Sequence, residues 1–412
     1  MVFLYRFLTI LLWPPLYVFS FLIPAAREFL GIRSDDKRKL LAISPPEPGQ
    51  KVVWLHAASV GELDQCKALA VVFREKEPGT LLLQSVFSPS VRESQLDAFP
   101  AHIKFHLPLD FPWAYTFIFQ KFHPELLVFM AWDRWPNLLL AARRRGVLTI
   151  LASAVLTPPE GFFKERFYRS VFGLFDRIFP SHSSAEENFR NLLGSSAKIL
   201  TLGDCRIDTV IRKVESNPRS FETPENYPFS KIFLLASTYE ECEDLLLPLL
   251  SDPSLQDFAF WIFPHKTDPS RIQSVLTQVK KRTENYCLFS SRSFEKIDSR
   301  VIVFDVLGLL AYAYQVVDFA YVGGALHNRV HNVLEPAYFG LPLLTGPKID
   351  HSPEAKELNR RGGLFIIQNR EEVIPILSLS EEKKKQIAET NRSFLETGRG
   401  AGERIYRVLR ES

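Results

Sequence analysis

Along most of the chain, short and nearly unbroken apolar runs alternate with stretches in which apolar residues return every third or fourth position. Residues 52–56, 81–86, 126–130 and 147–153 are runs of the first kind, rich in Val, Ile and Leu. Such runs read as strands buried on both faces, as in a parallel sheet covered by helices. After 52–56, Leu63, Cys66, Leu69 and Phe73 recur at helical spacing, and 138–145 forms a second helical stretch closed by Gly146. A polar segment with three prolines occupies 217–228, and beyond it the pattern restarts at 232–236, 258–263, 301–304, 319–322, 341–344 and 364–367. This alternation predicts an α/β protein of two doubly wound, Rossmann-like domains, with ligands at the carboxyl ends of the strands and the chemistry in an interdomain cleft. The expected division is an N-terminal domain at 27–216, a linker at 217–228 and a C-terminal domain at 229–380. Terminal helices within 381–412 are free to cross back to the first domain.

The first residues follow a different rule. From Phe7 to Ala26 there is no charged residue; Arg6 precedes the run, and Arg27, Arg33, Lys37, Arg38 and Lys39 follow it. About twenty apolar residues suffice to span a bilayer as a helix, but Pro14, Pro15 and Pro24 are expected to break or kink it. A cleaved signal peptide would have a shorter apolar region ending at small residues, which Phe21-Leu22-Ile23-Pro24 does not offer. The segment 1–26 is therefore expected to be a membrane anchor, spanning or half-inserted. The basic residues after it place the rest of the chain on the cytoplasmic side.

Composition narrows the partners. At 412 residues the chain exceeds one ordinary core, and its net charge of +3 announces no polyanion, so no nucleic acid partner is expected. Cys66, Cys205, Cys242 and Cys287 are scattered without a Cys-x-x-Cys pair, which fits reduced thiols and argues against structural zinc.

Two places combine strand ends with chemistry. Residues 319–322 run into Gly323-Gly324, and a polar loop then opens a short helix near Asn332 that carries Glu335 and closes at Gly340. Glycines let backbone approach a ligand, helix N–H groups hold phosphate, and Glu335 can accept hydrogen bonds from ribose hydroxyls. The bland alternative is an ordinary strand–helix turn with a solvated glutamate. Glu62 stands where strand 52–56 hands over to a helix, directly after Gly61. It is either a general base toward an acceptor hydroxyl or a first-turn glutamate that complements the helix dipole.

The motifs His56-Ala57-Ala58-Ser59-Val60-Gly61-Glu62, Pro108-Leu109-Asp110-Phe111-Pro112, Trp135-Pro136-Asn137, Gly203-Asp204-Cys205-Arg206-Ile207-Asp208, Ser237-Thr238-Tyr239-Glu240 and Gly323-Gly324 with His331-Asn332-Val333-Leu334-Glu335-Pro336 stand in one order. That order resembles the Kdo transferases, GT-B glycosyltransferases that move 3-deoxy-D-manno-octulosonic acid (Kdo) from CMP-Kdo to lipid A precursors. The resemblance covers nearly the whole chain, apolar N-terminus included. It implies Glu62 as the catalytic base and Ser237, Thr238, His265, Lys266, Gly323, Gly324, His331, Asn332 and Glu335 on the side of the donor nucleotide. It also implies Arg206 toward the donor's carboxylate or phosphate, and Ser59, Gly61 and Asp133 on the acceptor side.

No cofactor or metal is implied, because helix N-termini and basic side chains can stabilise a monophosphate leaving group. Attack by the acceptor hydroxyl opposite the leaving phosphate implies inversion. The implied partners are a CMP-sugar, a lipid A precursor and a membrane surface, and the implied location is the inner, cytoplasmic membrane with the catalytic domains facing the cytoplasm.

The chain departs from the family pattern at Ala131, Asp133 and Arg134, at Ser90-Val91, at Ser153-Ala154-Val155 and at Leu309. Most of these lie in the acceptor half. They motivate two alternatives: a divergent paralogue with another nucleotide sugar or lipid acceptor, and a catalytically silent relative that binds lipid or nucleotide.

Overall fold

The computed structural model describes residues 1–216, 221–291 and 294–411. Residues 217–220 of the expected linker therefore lie outside the described residues. The chain divides into two compact units, residues 1–209 with 400–412 and residues 210–399.

In the first unit, β1 (Val52–Ala57), β2 (Leu81–Val86), β3 (Ile103–His106), β4 (Leu126–Met130), β5 (Leu148–Ala154) and β6 (Arg177–Pro180) form one sheet. The order is β3-β2-β1-β4-β5-β6 and every pairing is parallel. Each apolar run becomes a strand because both of its faces are covered. Trp54, Phe105, Phe119 and Phe129 are buried on one side of the sheet, and Leu55, Leu69, Phe73 and Val128 on the other. Strand order reverses between β1 and β4, so the carboxyl ends of these two strands open a crevice suited to ligands.

The second unit holds β7 (Lys231–Thr238), β8 (Phe258–Pro264), β9 (Tyr286–Leu288), β10 (Val301–Val303), β11 (Phe319–Val322), β12 (Leu343–Thr345) and β13 (Leu364–Ile366). Their order is β13-β12-β11-β7-β8-β10-β9, again all parallel, which puts the reversal between β7 and β11. Helix Glu381–Gly398 packs within this unit on helix Leu334–Tyr338. Helix Ala401–Arg410 belongs to the first unit. There Gly400 and Gly402 N–H donate to Asp208, and Arg410 grips Glu77 at 2.5 Å.

At the N-terminus the structure differs from expectation. Helix Val2–Leu22 continues through Pro14 and Pro15, and the break falls at Ile23, extended with φ −113°, before Pro24. Each proline removes one N–H donor from the ladder, whereas Ile23 is forced out of the helical region by the ring that follows it. The helix lies along the first unit, with Trp13 packed edge-on to Trp113 and Tyr5 tilted against Phe167. Much of its remaining surface is exposed Phe, Leu and Ile.

The basic segment after it, in helix Pro24–Ala42, is also not a uniform charged face. Arg33 is buried, with Nε on Leu107 O at 2.9 Å and Nη1 on Phe29 O at 2.9 Å. Burial lowers the pKa of its guanidinium to about 10.

Candidate active site

At the carboxyl edge of the first sheet, β1 ends at Ala57 and helix Val60–Lys76 begins three residues later. Ser59 is its N-cap, and the expected base closes a capping box there. Glu62 Oε2 accepts the Ser59 N–H at 3.0 Å and the Ser59 hydroxyl. This satisfies donors that a helix start leaves unpaired and accounts by itself for the burial of Glu62. Oε1 is left for another partner. Gly61 beside it is exposed, with no atom within 4 Å of where a Cβ would sit.

Asp133, across the reversal at the end of β4, is held from several directions. Its Oδ1 accepts the Arg134 N–H at 3.0 Å, and its Oδ2 lies 2.6 Å from His56 Nε2 and accepts from Trp135 Nε1 at 3.1 Å. His56 Nδ1 is 2.7 Å from Ser85 Oγ, which in turn accepts from Trp54 Nε1 at 2.8 Å. With its proton on Nε2, His56 donates to Asp133 and accepts from Ser85 through Nδ1, and Trp135 Nε1, 3.0 Å from that same Nε2, then donates to Asp133 alone. Sequence reasoning quoted His56 without giving it a role, and missed Ser85, because a serine inside an apolar strand carries no spacing signal.

Two other motif pieces turn out to be one device. Asp110 Oδ2 accepts the Asn137 N–H at 3.0 Å and Oδ1 accepts the Leu138 N–H at 3.1 Å, capping helix Pro136–Arg143. Burial pushes the Asp110 pKa upward, against those hydrogen bonds. Arg206, expected to meet the donor's anionic groups, closes its fork on Asp204, with Nε at 3.0 Å and Nη2 at 2.6 Å from Oδ2. Burial would raise the Asp204 pKa, yet Arg206 holds it below the usual carboxylate range.

At the carboxyl edge of the second sheet, β7 and β11 end side by side at the reversal. Ser237 takes a left-handed φ of 51° there, and Gly323 follows β11 directly. A Cβ on Gly323 would lie 2.3 Å from Ser237 O, so backbone contact admits only glycine. Gly324 adopts φ 95°, and a Cβ there would lie 2.3 Å from Arg329 O. The glycine pair therefore folds the following loop back over the strand ends, and His331 N–H donates to Gly323 O at 3.0 Å.

This turn assembles a stack of rings that the sequence did not announce. Tyr239 lies parallel to His265 and to His327, 4.8 Å between centroids in each case, and His265 lies 4.5 Å from His331. Burial, then the neighbouring His265 and Arg329, depress His331 to a pKa of about 4, and its Nε2 has no partner among the described residues. Burial and Lys266 also lower the pKa of His265. His331 is thus a neutral imidazole at pH 7 with an unpaired ring nitrogen, while Lys266 is exposed and Ser237 half-buried.

The other expected donor residues are engaged. The Thr238 hydroxyl donates to buried Glu243 at 2.6 Å, and Arg271 holds the same carboxylate oxygen. Asn332 Oδ1 accepts the Leu334 N–H at 3.0 Å, so one donor at the start of helix Leu334–Tyr338 is already capped. Glu335 pairs with Lys213 Nζ at 2.6 Å through Oε1.

Residues 34–209 match the family described as 3-deoxy-D-manno-octulosonic-acid transferase (kdotransferase). The chain is 27% identical over 339 residues to a 3-deoxy-D-manno-octulosonic acid transferase of Chlamydophila psittaci, covering 80% of this chain and 76% of that one. It is 24% identical over 391 residues to the protein of the same name from Haemophilus influenzae, covering 90% and 88%. A UDP-GlcNAc 2-epimerase from Neisseria meningitidis, solved bound to UDP-GlcNAc, superposes on 88% of this chain and 100% of its own with a TM-score of 0.62. At 14% identity that likeness speaks for the fold alone. The two parallel sheets form a GT-B-like fold, and the family match with the two transferases supports a glycosyltransferase. Within that class the chain is a divergent relative of the Kdo transferases.

Proposed function

We propose that this protein transfers Kdo from CMP-Kdo to a lipid A precursor in lipopolysaccharide synthesis, with inversion and without a metal. The observation that carries the reading is similarity along 80–90% of the chain to proteins named 3-deoxy-D-manno-octulosonic acid transferase. The edge of β7 and β11 supports a nucleotide there: a glycine turn that brings backbone close, an imidazole with a free nitrogen, and Lys266 for phosphate. On this reading Glu62 Oε1 takes the proton of the acceptor hydroxyl while Oε2 stays in the capping box. The hydroxyl oxygen bonds to the anomeric carbon through an oxocarbenium-like transition state. The bond from that carbon to the phosphate oxygen breaks, and CMP departs with the electron pair. The exposed apolar helix Val2–Leu22 is long and apolar enough to cross a membrane and supports anchoring at the inner membrane, with the acceptor's acyl chains left in the bilayer.

The internal engagement of Asp133 and the departures at Ala131, Val91 and Val155 favour, as a second reading, a paralogue with a different lipid acceptor or nucleotide sugar. Mass spectrometry of lipid A precursor incubated with the protein, a chelator and freshly made CMP-Kdo tests both. A product heavier by one or more Kdo units supports the proposal. No transfer, with CMP still bound, refutes it in favour of a silent relative, and transfer confined to another nucleotide sugar or lipid selects the paralogue.

A further inference from the structure

A cavity in the first unit is not used by this chemistry. It has a volume of about 390 Å³ and is lined by Arg6, Pro112, Thr116, Asn137, Leu140, Ala141, Arg144 and Arg145. Three guanidinium groups converge on it. Among the described residues none of the three pairs with a carboxylate: Arg145 Nη1 donates to Ala141 O at 3.1 Å, and its guanidinium lies 5.1 Å from the Phe119 ring centre. Arg144 and Arg145, just past the end of helix Pro136–Arg143, complement the negative end of its dipole. That explanation does not reach Arg6. It lies near the N-terminus of helix Val2–Leu22, where the dipole disfavours a cation, and beside two further cations. An anion in the cavity would relieve all three.

The surroundings say which kind of anion. Arg6 is on the apolar helix, whose Phe3 is 83%, Phe7 62% and Leu11 61% exposed. At the rim, Pro112 adjoins Trp113, half exposed and packed edge-on to Trp13 of that helix. A tryptophan pair beside exposed aliphatic and phenyl side chains suits the boundary between headgroups and acyl chains, where indole rings accumulate. A soluble anion would gain nothing from this apolar border. We infer that the cavity binds the phosphate headgroup of a lipid whose acyl chains lie along helix Val2–Leu22. A phosphate monoester fits three guanidinium groups better than a diester, because it carries more charge and leaves three oxygens for bidentate pairing.

The test is flotation of the full-length protein with phosphatidylcholine vesicles containing either phosphatidic acid, a monoester, or phosphatidylglycerol, a diester, matched for zeta potential. Partition should favour phosphatidic acid by at least about fivefold, and Arg144→Gln with Arg145→Gln should abolish that preference. Arg6→Gln should do the same, and serves should the double variant fail to fold. Arg143→Gln, on the same helix end but outside the cavity, should keep it. Equal binding of the two lipids by the wild type, or a preference that survives Arg144→Gln with Arg145→Gln, overturns the inference. So does equal loss in Arg143→Gln, which would indicate diffuse surface charge. None of these readouts involves sugar transfer, so failure here leaves the proposed activity standing.

Discussion

Glu62 carries two roles that one pair of substitutions can pull apart. As the N3 residue of a capping box it needs only an oxygen acceptor facing Ser59, and the amide oxygen of glutamine supplies one. As a base it needs a carboxylate, which glutamine lacks. Glu62→Gln should therefore keep both contacts to Ser59 and leave the melting temperature within a few degrees of wild type. Turnover should fall by roughly two to four decades, or about 2.7–5.4 kcal/mol of transition-state stabilisation. Ser59→Ala does the reverse: it removes the hydroxyl from the cap, costs about 0.5–2 kcal/mol of stability and spares the carboxylate. In a domain of this size each kcal/mol lowers the melting temperature by about 2–4 °C. The assay is single-turnover transfer followed by release of CMP, run beside thermal melts of both variants. Near-normal turnover in Glu62→Gln would reduce Glu62 to a helix cap, and a large loss of stability in that variant would show that the box does not tolerate the amide.

Two further outcomes concern the second unit. The folded-state pKa of His331, about 4, lies below the unfolded value of about 6.5, so the unfolded chain takes up the proton first. Its contribution is intact above about pH 6.5, declines on acidification and is fully lost below about pH 4. With some solvent access the loss is at most about 3 kcal/mol, and it should appear as a wild-type-minus-His331→Asn difference in urea unfolding that narrows from pH 7 to pH 4; parallel curves would refute it. Glu335→Ala should weaken CMP by about 1.5–3 kcal/mol in calorimetry if the carboxylate takes ribose hydroxyls, whereas Lys213→Ala should change stability by no more than about 1 kcal/mol, because Lys213 is half exposed. An unchanged dissociation constant in Glu335→Ala would leave Glu335 as the partner of Lys213 and nothing more.

How far the strands were legible depended on where each sits. Every central strand was found, because a strand covered on both faces must be a continuous apolar run. The three that were missed, β3 (Ile-Lys-Phe-His), β6 (Arg-Ile-Phe-Pro) and the three-residue β9, are all sheet edges. An edge strand needs fewer residues and tolerates charge, so it leaves a weaker trace. The uninterrupted helix across Pro14 and Pro15 was missed for a related reason. Local rules count the hydrogen bonds that proline removes, while packing against the body of the unit and the intact turns on either side hold the helix together.

At the site, the residues that the motifs singled out are mostly occupied by one another. Asp110 caps Asn137 and Leu138, Asp204 holds Arg206, Asp208 takes two glycine N–H groups and Thr238 serves Glu243. Each is a buried or half-buried polar group whose partner is fixed by the fold, so these motif residues serve the need to pair buried polar groups. Among the described residues, the expected site residues that keep free capacity include Glu62 through one oxygen, His331 through one nitrogen, Glu335 through Oε2, and Ser237, His265 and Lys266. Sequence could not separate these from the rest, because a glutamate in a cap and a glutamate awaiting a proton are written alike. What distinguishes them is an unspent hydrogen-bonding atom at the carboxyl edge of a sheet, beside the strands where strand order reverses. By that criterion His331 and Glu62, more than Arg206 or Thr238, are the positions at which loss of function should exceed loss of stability.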